Sequence, residues 1–132
     1  MKIFNFFKKK ENAIPNEAAI KPEPDKSRWL GKDFEFLIRG DIELTAENYD
    51  DIMTPNTMAW QKVIQDGYAY YKVGNDEICY SWEMPGIQMT FNPEITYLKA
   101  KQIADEVMQN LINAGQFPEL VTLQSDILYR LD

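Results

Sequence analysis

The run from residue 68 to residue 91 constrains the fold more than any other part of the chain. Ile78, Tyr80, Trp82 and Met84 alternate with Glu77, Cys79, Ser81 and Glu83, and after Pro85-Gly86 the residues Ile87, Met89 and Phe91 alternate with Gln88 and Thr90. A repeat of two is the side-chain period of a strand with one buried face, and a helix cannot satisfy it. Residues 68–73 supply a preceding strand, and the turns at Gly74-Asn75-Asp76 and Pro85-Gly86 make two hairpins. An antiparallel meander is therefore expected.

Residues 34–44 show the same alternation, with Phe34, Phe36, Ile38, Ile42 and Leu44 on one side and mostly charged residues on the other. They predict one long strand, or two strands kinked at Gly40. Thr45 offers a cap to a short helical piece, and Thr54-Pro55 offers a second, so 55–66 reads as a helix stopped by Gly67. Ala100, Ile103, Ala104, Val107, Met108, Leu111 and Ile112 recur at helical spacing before Gly115. A last helix is expected from Pro118, burying Leu120, Leu123, Ile127, Leu128 and Leu131. The fold class that follows is α+β: an antiparallel meander of three to four strands packed against a long C-terminal helix, as a two-layer sandwich.

Of the 132 residues, 14 are basic and 21 acidic, and the charge is unevenly placed. Residues 1–32 hold eight basic and four acidic residues, a balance of +4; residues 33–132 hold six and seventeen, a balance of −11. Ile3, Phe4, Phe6 and Phe7 precede the cluster Lys8-Lys9-Lys10, and Pro15, Pro22 and Pro24 follow. This reads as a basic, proline-containing leader over 1–27 ahead of a single acidic domain over 28–132. The apolar stretch is too short for a secretory or membrane-spanning segment, so no integral membrane insertion and a cytoplasmic location are expected. An acidic body repels nucleic acid and attracts a cationic partner.

The chain has no histidine and one cysteine. That removes histidine-based nucleophile activation, histidine acid/base chemistry, His- or Cys-caged zinc and an internal disulfide. Cys79 lies between Glu77 and Glu83, whose charge disfavours a thiolate. Glu77 and Glu83 are themselves six strand residues apart, about 20 Å, well beyond the ~5–9.5 Å of a glycosidase pair. No catalytic residue, cofactor site or metal site is expected.

With the hydrophobic and acidic segment ICYSWEMPGIQMTFNPEIT at 78–96 and the helix AKQIADEVMQNLINAG at 100–115, the chain resembles the small cytosolic immunity proteins encoded beside bacterial secreted or contact-delivered toxins. That resemblance implies a one-to-one inhibitor that occludes the active site of a cognate toxin, and the acidic body would suit a basic, nuclease-type toxin. The residues expected to meet such a partner are Asp76, Glu77 and Glu83 for electrostatic steering, with Tyr71 and Trp60 as anchors. Two other readings stay open: an α+β domain holding a small molecule or substrate in a carboxylate pocket, and an adaptor or structural subunit that docks through its N-terminal segment.

Overall fold

The computed structural model describes residues 26–83 and 86–124. Six strands form one antiparallel sheet: β1 (Phe34–Arg39), β2 (Gln61–Gln65), β3 (Tyr68–Val73), β4 (Asp76–Glu83), β5 (Gly86–Phe91) and β6 (Glu119–Gln124). Their spatial order is β2-β3-β4-β5-β1-β6. Among the described residues there are two α-helices, the single turn α1 (Tyr49–Ile52) and the long α2 (Tyr97–Asn113), with a 3₁₀ turn at Lys26–Arg28. The class is α+β, as the alternation and the helical period together imply.

Alternation decides which residues go inside. Phe34, Phe36 and Ile38 of β1 share a face with Met89 and Ile87 of β5 and with Ile78 of β4, and all are buried. Ala100, Ile103, Ala104, Val107 and Leu111 of α2 complete the same core. Thr96 caps α2 by accepting from the Lys99 amide at 3.2 Å. Beyond Gly115, at φ +87°, the Gln116 amide returns to the Leu111 carbonyl at 3.0 Å and closes the last turn.

Four expectations are corrected. The sheet has six strands rather than three or four. Residues 61–65 are strand β2 rather than the second half of a helix over 55–66. The reason is the Asp66-Gly67 pair: both residues have positive φ, 53° and 84°, which is the geometry of a two-residue hairpin turn and not of a helix stop. Residues 119–124 form β6 rather than a helix, because β1 offers a free edge on which the Val121-Thr122 segment pairs from Phe34↔Gln124 to Arg39↔Glu119. The expected strand over 34–44 ends at Arg39, where Gly40 turns at φ +115°. The leader up to residue 25 and the expected helical residues 125–132 lie outside the described residues.

The connection from β1 to β2 crosses the end of the core and is fastened to α2. Glu106 accepts from the Asn56 and Thr57 amides at 2.7 and 2.8 Å and from the Thr57 hydroxyl at 2.5 Å. Asn110, one turn on, donates to the Ile52 and Thr54 carbonyls at 3.1 and 3.0 Å. Residues four apart on one helix thus anchor a connection that has almost no regular structure of its own.

Candidate functional site: an acidic and aromatic end of the domain

The sheet face opposite α2 carries Glu77, Cys79 and Ser81 of β4, as the alternation requires, and the register adds Tyr68 and Tyr70 of β3. It is only weakly acidic: Lys72 stands directly across from Glu77, and Arg39 from Glu119. Partial burial of the exposed Cys79, reinforced by the Glu77 charge, pushes its thiol pKa up, which lowers its thiolate fraction.

The five expected partner-facing residues do not form one surface. Tyr71 lies on the opposite face, 2% exposed, and its hydroxyl donates to Asp50 at 2.6 Å. Burial, and then that hydrogen bond, push the Tyr71 hydroxyl far up, so it stays a neutral donor in the core. Its ring therefore packs inside the domain. Trp60 is half-buried, with its ring edge-on to Tyr71 at 5.8 Å, beside a shallow cavity of about 340 Å³ lined also by Ala59, Gln61, Lys72 and Gly74.

Asp76 is held by Lys99 at 2.7 Å and by Asn92 at 2.8 Å, and so ties the β3–β4 turn to α2. Burial alone would raise its carboxyl; the hydrogen bonds from Lys99 and Asn92 and the Lys99 charge outweigh that and hold it below its ordinary value. Glu77 is half-buried at the start of β4, and Glu83 closes the strand at the Gly86 register position, far from it.

The carboxylates are concentrated elsewhere. Between Arg39 and Lys62 the chain has Asp41, Glu43, Glu47, Asp50 and Asp51 and no basic residue. Asp50 is spoken for by Tyr71 and by Lys62 at 3.2 Å, and the Tyr71 hydrogen bond is the main reason its carboxyl lies below the usual range. Asp41, Glu43, Glu47 and Asp51 are exposed, and none of them enters an ion pair among the described residues.

This acidic connection joins two exposed apolar groups. At one side Tyr49 packs on Trp82 with ring centres 6.2 Å apart, and the indole N–H donates to the Tyr49 hydroxyl at 3.2 Å; Trp82 remains 49% exposed. At the other side Gly40 lies against the Phe117 carbonyl, and the Glu43 amide donates to Gln116 Oε1 at 3.0 Å. Phe117 is 87% exposed and Ile112 51%, and with Gly115, Gln116 and Pro118 they line an open apolar cavity of about 430 Å³. No Lys or Arg sits in the last turn of α2, so the partial negative charge of that helix end is unopposed there.

The signal for this end was present in the sequence as a 22-residue interval without a cation. That it lies beside Trp82 and Phe117, which are 35 positions apart, follows only from the fold. Among the described residues no three carboxylate or cysteine groups meet closely enough to hold a metal ion, and no helix is long and apolar enough to cross a membrane. No family model, curated protein or solved structure matches the chain at a significant level.

Proposed function

We propose that the protein is a binding protein that neutralises a basic cognate protein, an immunity protein against a toxin domain, and that the acidic connection between β1 and β2 with its flanking Trp82 and Phe117 is the docking surface. The observation that carries this reading is the coincidence, at one end of the described domain, of four exposed carboxylates that enter no ion pair among the described residues with two exposed large aromatic side chains. Carboxylates in such a field steer a cationic partner and fix its register, while aromatic side chains supply the desolvated contact area that dominates interface energies. The open sheet face, with Lys72 and Arg39 among its acids, has a weaker field.

The test examines the genes adjacent to this one for a toxin-like C-terminal domain and mixes that domain with the purified full chain; finding no such gene counts against the reading. A one-to-one complex is expected. Glu43→Lys with Glu47→Lys should slow association by about tenfold or more at low salt and flatten its salt dependence. Trp82→Ala should act on dissociation, with a loss of about 2 kcal/mol, whereas Glu77→Lys on the open sheet face should leave the kinetics unchanged. If the wild-type chain does not bind that domain, the inhibitor reading is lost; if only Glu77→Lys alters binding, the site is on the other face.

A further inference from the structure

The apolar cavity at the end of α2 is open and lined by a phenylalanine that is almost fully exposed, and the acidic connection reaches its edge where the Glu43 amide donates to Gln116 and Gly40 meets the Phe117 carbonyl. A segment that fits it must present aromatic side chains followed by cations. The chain contains one such segment: Phe4, Phe6 and Phe7 followed directly by Lys8, Lys9 and Lys10. We propose that this N-terminal segment docks in the Ile112/Phe117 cavity of its own chain, rings in the apolar cleft and lysines against Asp41 and Glu43, so that the leader is a built-in competitor for the surface.

Three observations carry the assignment. The first is charge: the leader with its flanking residues to Lys32 balances at +4 and the remainder at −11, and the cavity sits where the acidic connection and the unopposed C-terminal pole of α2 adjoin. The second is size, since about 430 Å³ is within the ~300–1,000 Å³ of ligand pockets and takes more than one ring.

The third is reach. The Lys26–Arg28 turn is fixed at the start of α2, where the Tyr97 amide donates to the Trp29 carbonyl and Leu30 bridges to Thr96. The cavity lies at the other end of the 17-residue helix, about 25 Å away at ~1.5 Å per residue. Phe7 and Lys26 are nineteen positions apart, a distance of up to ~63 Å at ~3.3 Å per step. The tether is ample, and tethering makes the encounter intramolecular. A leader that occupied the cavity nine-tenths of the time would weaken the apparent affinity of any external ligand for it by about tenfold.

The test is made on the full chain, without any partner protein, so its failure would leave the inhibitor reading standing. Asn5 is replaced by cysteine in a Cys79→Ser background and carries a nitroxide spin label, and amide intensities are read by NMR. The expected result is strong broadening of residues 112–118 that does not depend on protein concentration and that vanishes in Phe6→Ser with Phe7→Ser. Absence of broadening there overturns the proposal. So does broadening in a mixture of labelled natural-abundance chains with unlabelled ¹⁵N chains, which would make the occupant a second copy. A shift of the 112–118 resonances by Ile127→Ser with Leu128→Ser, with none caused by the leader variant, would assign the cavity to the C-terminal segment instead.

Discussion

Glu106 shows how one side chain can organise a segment far from it in sequence. Its carboxylate receives two amides and a hydroxyl from Asn56 and Thr57 and a fourth hydrogen bond from Gln102 at 3.2 Å. Burial would raise its pKa, but these bonds, the Thr57 hydroxyl first among them, outweigh it and hold the carboxyl below its ordinary value of 4.5. A folded-state pKa below the unfolded one contributes stability that is complete above the unfolded value and disappears as pH falls through the folded value. Glu106→Gln should therefore cost about 1–2 kcal/mol at neutral pH, and the gap from wild type should close as the pH drops below 4.5. Urea titrations at several pH values test this; a gap that stays constant down to acid would show that the carboxylate charge is not what fastens the connection.

At the scale of elements, two glycines separate conformational strain from crowding. Gly67 has φ +84° with open space where a Cβ would sit, so Gly67→Ala should cost only the left-handed backbone penalty, about 1 kcal/mol. Gly40 has φ +115°, and an added Cβ would lie 2.6 Å from the Phe117 carbonyl oxygen. Gly40→Ala should cost clearly more, and it should loosen the contact between the acidic connection and the α2–β6 junction. Denaturant midpoints for the two variants decide the matter, and equal losses would mean that the Gly40–Phe117 approach is not a packing constraint. Within β1, Phe36 is fully buried in a cluster with Phe34 and Phe91, and Phe36→Ala should cost about 3–5 kcal/mol.

For the molecule as a whole, the uneven charge sets up a conflict between stability and binding. Four exposed carboxylates between Asp41 and Asp51, without an ion pair among the described residues, repel one another. Added salt screens this repulsion over a Debye length of about 10 Å at 0.1 M. Glu43→Lys with Glu47→Lys is therefore expected to raise the thermal midpoint at low salt while slowing association with a cationic partner. A lower midpoint for that variant would indicate that these side chains hold the connection in place rather than serve an external ligand. The concentration of like charge at one end of the domain is then comparable to a functional site that is tolerated at some cost in stability.

The sequence alone determined what depends on neighbours along the chain. The meander of β3, β4 and β5, the α2 helix with its Thr96 cap and Gly115 stop, and the inward faces of both follow from side-chain period and local turn chemistry. From the sequence the β2–β3 hairpin is misread as a helix over 55–66, although Asp66-Gly67 carries the local signal of a two-residue hairpin turn. Only the tertiary structure decided that β1 lies between β5 and β6, because pairing between strands some 50 and 80 residues apart depends on which edges are left free and not on any local preference. It also decided which side chains are left at the surface: Tyr71 and Asp76 were drawn into internal hydrogen bonds, while Trp82 and Phe117 were brought to either side of one acidic connection. Charge and ring content are properties of residues, but whether they are spent inside or left facing a partner is fixed by what packs against them.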